Sequence, residues 1–510
     1  MKYRKIILSI ILIAGFALRL CTLIQLSSTT FFNPALMDKH DQKTFHLWAQ
    51  SILKHPVYVD GDAFYMAPLY AYFLALLYAV SGGSIFFAGL VQAIVDTIAI
   101  YLLYRIGRTI KDEYTGIIAA GLYAFYQTVV LYSVTILSDG IITFLNILFI
   151  FSLYRALEKK NRLSWILCGI VFGLAALAKP TILAFVPFII AGLLIWPEKA
   201  LIFPLKTNKK SFQITVVLLL AGLACALTIL PVSLRNLVVS NKFVLICTNG
   251  PVNWQIGNSS DSTGLFYYPA GHLLSPASVD FWKLLLKKTF LFFNSYEWPQ
   301  NLSIYIAREL IPALKFAFVR FGLIVPLGVV GLFLAARKRK NFLFVSFTIV
   351  QIIWVIMFFI TERYRFPAVA CLTVCAGFLV TWTIDEIKTK KLVLPLFRIV
   401  IAGLWGYIFG WTPGQVFNDM YWKIFAKLSK TNIVYNLQTG NNQLAEKIAK
   451  DYKKLLPQDP DSHFFLACVY AQKGMMNEAE QQLIRTLEIE PEHELAKKFL
   501  EEIRKNASPH

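Results

Sequence analysis

Ionisable side chains set among long apolar runs are the first residues to weigh. Holding a charge near the middle of a bilayer costs about 2.5–3.5 kcal/mol on insertion scales and is seldom done without a function. Five places qualify. Met37-Asp38-Lys39-His40-Asp41-Gln42 leads into an amphipathic stretch with Phe45, His46, Leu47, Trp48 and Ala49. Asp41 either caps the helix that follows, as Asp does on local grounds alone, or takes a proton from a substrate hydroxyl. Asp38 and His40 stand beside it as substrate-binding candidates; a metal held by His40, His46 and these carboxylates would lack the spacing and ligand count of a closed site. Ser138-Asp139-Gly140 puts a second carboxylate at a span end, where it caps a helix or does chemistry. Two carboxylates on one side suit acid–base work or a divalent cation such as Mg²⁺ or Mn²⁺.

The other three places are basic or amide-rich. Ala178-Lys179-Pro180 sets one cation in an otherwise apolar loop. Lys179 either snorkels or meets a phosphate, which at that depth belongs to a lipid. In Thr361-Glu362-Arg363-Tyr364-Arg365-Phe366-Pro367, both Arg are phosphate candidates with Tyr364 beside them, unless Glu362 pairs with one of them. Arg235-Asn236 closes a span and is a further phosphate candidate. After it, Asn249, Asn253, Trp254 and Asn258, with Tyr65 from the first loop, offer the amides and rings that sugars bind. The same composition also makes ordinary turns.

These residues need elements to hold them, and the composition says which. Of 510 residues, 57% are hydrophobic and 16% charged, against about 45–50% and about 25% in soluble domains. An ordinary soluble protein is excluded, and runs near the roughly 20 residues that span a bilayer predict an all-α polytopic membrane protein. Eleven spans are expected, at about 6–26, 84–104, 114–132, 140–157, 164–178, 181–196, 212–231, 316–335, 341–360, 366–384 and 392–411. The first is read as an uncleaved helix, because no small-residue cleavage site follows it. The apolar segment 66–80 is short enough to lie along the membrane instead.

Charge supports that choice. With 66–80 not crossing, the clusters around Lys2–Lys5, Arg105–Lys111, Arg155–Arg162, Lys199–Lys210, Arg337–Lys340 and Lys388–Lys391 put 21 Lys and Arg on the cytoplasmic side. The short loops opposite hold 3, namely Lys179, Arg363 and Arg365, as the positive-inside bias requires. The formal net charge of +20 is thereby explained as membrane orientation, without a nucleic-acid partner. Loops 27–83 and 232–315 and the C-terminus then face outward, and loops of that length are usually functional. Seven Cys give no disulfide framework, since five lie in apolar runs and only Cys247 and Cys468 are placed to meet.

The tail, 431–510 after a linker at 412–430, repeats at a spacing of 34: Gly440 with Gly474, Ala445 with Ala479, Pro457 with Pro491, Leu466 with Leu500. That period predicts tetratricopeptide repeats, whose paired helices form grooves for a protein partner.

The order Asp41, Ala67-Pro68-Leu69-Tyr70, Leu137-Ser-Asp139, Leu177-Ala-Lys179-Pro180, Arg235-Asn236, Asn249-Gly250, Ile256-Gly257-Asn258 and Arg363-Tyr364-Arg365-Phe-Pro367 resembles the GT-C glycosyltransferases over about residues 6–411. The likeness is nearest to bacterial relatives of protein O-mannosyltransferases and lipid A aminoarabinose transferases; some members carry a tetratricopeptide tail. The resemblance implies a sugar donor on a polyprenyl phosphate and an acceptor bound at the outer face of the bacterial inner membrane. It maps the essential first-loop acid onto Asp41 and the second-loop acid onto Asp139. Two departures are Gln42, where the family often has Glu, and Met66-Ala67, where aminoarabinose transferases have Lys before Pro-Pro. The reading implied is an inverting transfer to a protein, lipid or glycan acceptor. Asp41 is then the base, and Lys179, Arg235, Arg363 and Arg365 bind the donor phosphate. The rivals are a lipid-linked oligosaccharide polymerase or ligase, and a non-enzymatic transporter or flippase. Transporters usually show repeated halves, and the sequence has none.

Overall fold

The computed structural model describes residues 2–57, 61–196, 210–389, 393–410 and 416–507. Among these the regular elements are helices, with no strand. The first half comprises α1 (Lys2–Leu26), α2 (Asp41–Lys54), α3 (Leu69–Ser81), α4 (Ile85–Ile110), α5 (Glu113–Ala124), α6 (Gln127–Tyr132), α7 (Asp139–Lys159), α8 (Arg162–Ala178), α9 (Val186–Ile195) and α10 (Lys210–Ser240). Then come α11 (Gly250–Asn258), α12 (Val279–Phe293), α13 (Ile304–Leu310), α14 (Phe321–Ala336), α15 (Phe342–Met357), α16 (Phe366–Lys388) and α17 (Val393–Phe409). The tail forms α18 (Val416–Gln438), α19 (Asn442–Leu455), α20 (Pro460–Gln472), α21 (Met476–Ile489) and α22 (Glu494–Ala507). The expected cytoplasmic residues Lys199, Lys206, Lys209, Lys390 and Lys391, and the first part of the linker, lie outside the described residues.

Among the described residues, six helices are long and apolar enough to cross a membrane: Tyr3–Leu26, Ile85–Ile110, Asp139–Lys159, Lys210–Ser240, Arg339–Met357 and Arg363–Lys388. This is a multi-pass membrane protein. Four further apolar helices, Leu69–Ser81, Arg162–Ala178, Pro180–Ile195 and Phe321–Ala336, are shorter. The segment expected to be interfacial, α3, has 13 residues, a length of roughly 20 Å against a hydrocarbon core of about 30 Å. The span expected at 114–132 is instead two helices. Between them the backbone pairs with Val319: Gln127 N–H donates to the Val319 carbonyl at 3.1 Å, and Val319 N–H to that of Phe125 at 3.1 Å. Hydropathy reads the run as continuous because a break of this kind costs no apolar residue.

The chain forms two compact units. The first holds residues 1–20, 45–300 and 316–412. Its helices approach through glycines, since helices in lipid gain most from close contact of small residues. A Cβ added at Gly331 of α14 would lie 1.9 Å from the Cys375 carbonyl oxygen of α16, and one at Gly169 of α8 would lie 2.2 Å from that of Ala221 in α10.

Within the same unit, Arg19 of α1 and Asp96 of α4 form an ion pair that sequence reading did not single out. Arg19 Nε donates to Asp96 Oδ2 at 2.6 Å, and Tyr123 Oη donates to Asp96 Oδ1 at 2.8 Å. Arg19 also donates to the carbonyls of Gly15 and Ala124 at 2.9 and 3.0 Å. The two side chains are 0% and 2% exposed, so either charge left alone is strongly unfavourable. Arg19→Met is expected to cost about 3–5 kcal/mol in thermal unfolding in detergent. Arg19→Met/Asp96→Leu should recover much of that; a double variant no better than the single would show that the pairing is not what matters.

The second unit holds residues 21–44, 301–315 and 413–510, so the tail packs with the chain that follows α1. Phe31 and Phe425 lie 6.1 Å apart, ring to ring, and Asn432 Nδ2 donates to Thr30 Oγ1 at 3.1 Å. Phe464, Ala467, Ala479, Leu483, Ala496 and Leu500 join α20, α21 and α22 in one core. Gly440 and Gly474, 34 residues apart, follow α18 and α20 at φ +76° and +78°, the left-handed turn that glycine adopts without strain.

Candidate functional site

Proline at 180 disfavours helix at the residue before it, so α8 ends at Ala178 and Lys179 is extended at φ −156°. That break turns the Lys179 side chain toward the loop between α15 and α16. Its ammonium lies 3.8 Å from the centroid of the Tyr364 ring and makes no hydrogen bond with a described residue. Burial pushes its pKa down to about 8; Asp139 opposes that fall and Arg363 adds to it.

Arg363 and Asp139 face each other at 3.2 Å, each side chain only 4% exposed. Arg363 Nε also donates to Gln300 Oε1 at 3.1 Å. Asp139 is the first residue of α7, where a negative charge suits the helix dipole, but Ser138 is the cap. Lys179, Asp139, Arg363 and Tyr364 are therefore brought together, with two cations to one carboxylate.

Glu362 forms an ion pair with neither neighbouring Arg. It is fully buried, with Oε1 2.6 Å from Tyr132 Oη, which is in turn 2.8 Å from the Gln300 carbonyl oxygen. Burial, and after it nearby Glu297, holds the Glu362 carboxyl well above the usual range. Glu297 is engaged by Tyr126 Oη at 2.8 Å.

The other expected phosphate ligands are set to different work. Arg365 is fully buried, donating to the carbonyls of Leu291 at 2.7 Å and Tyr296 at 3.2 Å, with its guanidinium 4.2 Å from the Phe321 ring. Arg235 donates to the carbonyls of Val57 at 2.8 Å and Asp62 at 2.5 Å and stacks 3.9 Å from Phe64. Asn236 joins the same loops, accepting from Phe64 N–H at 3.1 Å and donating to the Ile246 carbonyl at 3.0 Å.

The amide-rich stretch is likewise tied down. Asn249 N–H donates to the Tyr65 carbonyl, while the Tyr65 side chain is exposed. Asn249 stands in the cap position before α11, and the Asn253 N–H donates to its carbonyl. Trp254 packs on Phe358 at 5.7 Å and Phe281 at 6.2 Å. Asn258 is buried, donating to the Met357 carbonyl at 3.0 Å and accepting from Lys288 Nζ at 2.8 Å. Lys288 also reaches the carbonyls of Gly257, Met357 and Phe358 at 3.2, 3.1 and 3.0 Å, and burial lowers its pKa to about 7. No local pattern marks Lys288, because its acceptors lie about 30 and 70 residues away in sequence.

In the second unit, Asp41 is the first residue of α2, with His40 in the cap position. Asn301 grips it twice: Asn301 Oδ1 accepts from Asp41 N–H, and Asn301 Nδ2 donates to Asp41 Oδ2, each at 3.2 Å. Asn301 sits at φ +67°, a conformation Asn tolerates better than most residues. Sequence reading missed it. Asp38 is exposed and paired with Lys43 at 2.6 Å, which lowers its pKa, and its carbonyl lies 2.8 Å from His40 Nδ1. No three His, Cys, Asp or Glu converge among the described residues.

An apolar cavity of about 600 Å³ runs between α7, α8, α9 and α10, lined by Trp165, Phe172, Leu193, Val217 and Ala221 among others. Its wall includes Leu183, four residues after Lys179, and Ser233, two before Arg235.

No curated protein sequence matches the chain. Among solved structures it is similar to the Archaeoglobus fulgidus oligosaccharyltransferase in the apo form, at 13% identity over 82% of this chain and 57% of that one, with a TM-score of 0.45. It is also similar to the oligosaccharyltransferase AglB of that organism in complex with an inhibitory peptide and a dolichol-phosphate, at 14% identity over 84% and 58%, with a TM-score of 0.46. The chain thus spans a little over half the length of these structures. Residues 65–231 match the family described as dolichyl-phosphate-mannose-protein mannosyltransferase. That stretch runs from Tyr65 into α10 and contains both Asp139 and Lys179, so the segment holding these two residues is matched by a GT-C mannosyltransferase family.

Proposed function

We propose that the protein is a membrane glycosyltransferase that moves a sugar from a polyprenyl-phosphate donor to a protein, lipid or glycan acceptor at the extracytoplasmic face of a bacterial inner membrane. The observation that carries this reading is Lys179, an ammonium with no hydrogen-bond acceptor among the described residues and beside Arg363, in a segment matched by a mannosyltransferase family. Such a cation wants a phosphate. The 600 Å³ cavity suits an isoprenoid chain. Asp41 takes the proton of the acceptor hydroxyl as its oxygen attacks the anomeric carbon. The bond from that carbon to the phosphate oxygen breaks, and the polyprenyl phosphate leaves with the bonding pair, inverting the centre. Lys179 and Arg363 neutralise the leaving charge, while Asp139 holds Arg363 in place. Arg235 and Arg365 hold loops.

In this reading the shorter apolar helices α8, α9, α14 and α17 also cross, the N-terminus is cytoplasmic, and the tail is a short tetratricopeptide array facing outward that receives a protein partner. Transfer of labelled sugar from a polyprenyl-phosphate donor in detergent tests it. Without a sealed compartment a transporter gives no product, and a polymerase gives chains rather than single additions; either result overturns the proposal. Asn301→Gly keeps the φ +67° turn but removes both bonds to Asp41. It is expected to lower kcat/KM about tenfold, the worth of roughly 1.5 kcal/mol for a hydrogen bond to a charged group. Unchanged kinetics would mean that Asn301 only shapes the turn.

A further inference from the structure

A further cavity, this one polar, lies at the other end of α7 from Asp139. It has a volume of about 300 Å³ and is lined by the C-terminal ends of α4 and α7, with Arg105, Arg108, Arg155 and Glu158 as its charged groups. Asp139 and Arg155 are 16 residues apart on one helix, or roughly 24 Å, so the two sites occupy opposite faces of the membrane that α7 crosses.

The charges in this cavity do not cancel. Arg155 pairs with Glu158 at 2.8 Å. Arg108 is 3.9 Å from Glu113, but Glu113 is taken at 2.8 Å by Arg4. Arg105 has no carboxylate partner among the described residues: it donates to Tyr101 Oη at 2.9 Å and lies 5.5 Å from the Phe151 ring. Those contacts hold its guanidinium in one place without neutralising it. Three guanidiniums against the single carboxylate Glu158 make a concave site for an anion, and guanidinium forks match phosphate oxygens bidentately.

The helices beneath the cavity tell which phosphate. On α4, Ile94, Ile98 and Tyr101 precede Arg105 at intervals of four, three and four residues and are all at least partly exposed. On α7, Phe144, Leu148 and Phe151 precede Arg155 at the same intervals of four, three and four residues and with similar exposure. Residues so spaced share a helix face, so each Arg tops an apolar stripe facing out of the helix bundle. A free phosphate or a nucleotide has no use for such stripes, whereas a phospholipid has both a phosphate and chains to lay along them. Basic pockets between membrane helices bind anionic head groups on just these grounds.

We propose that the ends of α4 and α7 form a binding site for an anionic phospholipid of the leaflet opposite the transfer site. The proposal rests on α4 and α7 crossing the bilayer and not on the transfer reaction, so it stands or falls separately. The full chain, purified in neutral detergent, is titrated with dioleoyl-phosphatidylglycerol, with dioleoyl-phosphatidylcholine and with inorganic phosphate, and the number of lipids retained is read by native mass spectrometry alongside thermal stability. Phosphatidylglycerol is expected to be retained and to raise the melting temperature, with phosphatidylcholine doing neither and excess phosphate failing to displace it. Arg105→Gln/Arg108→Gln/Arg155→Gln should lose about tenfold in affinity. Arg337→Gln/Lys338→Gln/Arg339→Gln, which removes as many charges elsewhere, should bind as the wild type does. Should the first variant fail to fold, Arg155→Gln alone is expected to weaken the lipid-induced stabilisation in the same direction. Equal loss in both triple variants would reduce the effect to overall charge. Displacement by phosphate would make the ligand a soluble anion. Either result overturns the proposal.

Discussion

Asp41→Asn is expected to abolish sugar transfer while leaving the protein folded and its donor bound. Positioned acid–base groups contribute about 10²–10⁴-fold, so kcat/KM for the acceptor should fall by that factor. The substitution preserves shape, and the carboxamide still carries an oxygen to accept from Asn301 Nδ2, which lies 3.2 Å from Asp41 Oδ2. What it removes is the ability to take a proton. Asp41 opens α2 one position inside the cap, so a role limited to the helix dipole would be worth about 0.3–1 kcal/mol and would appear in stability rather than turnover. Measuring both melting temperature and single-turnover rate separates the two. Near-normal transfer by Asp41→Asn would refute the base assignment whatever happened to stability.

Lys179→Met should have the second largest effect, and its diagnostic is pH. The wild-type ammonium titrates at about 8 in the free protein. It is charged below that value and neutral above it, so donor kcat/KM, which reports the free enzyme, should fall as pH rises through 8. Lys179→Met should lower kcat/KM by roughly 10–100-fold near neutral pH, the range of a charge-assisted hydrogen bond, and should lose that alkaline limb. Stability moves the other way. With a folded pKa near 8 against about 10.4 when unfolded, the folded state binds fewer protons between those values, so stability of the donor-free protein should rise with pH across the window. A variant that keeps the wild-type limb would show that another group titrates there. Arg363 offers no such test, because Arg stays charged throughout.

Composition and local pattern alone set the solvent, the helical class and several helix boundaries. The length of the apolar runs demands a bilayer, Lys179-Pro180 ends α8 because proline restricts the residue before it, and Asp139 and Asp41 open helices where a carboxylate suits the dipole. These are local properties, carried by neighbours within a few residues. Which partner each charge meets depends on how distant segments pack. Glu362 could have paired with Arg363, yet Arg363 turns to Asp139, 224 residues earlier, and Arg365 spends itself on carbonyls. Asn258, a fit sugar ligand by type, is consumed by Lys288 and Met357. Arg19 finds Asp96 across 77 residues, and Asn301 finds Asp41 across 260. Val319 breaks a run that hydropathy alone reads as one span. Helical periodicity reaches one or two turns along the chain; the cost of burying an unpaired charge acts wherever the fold brings two elements together.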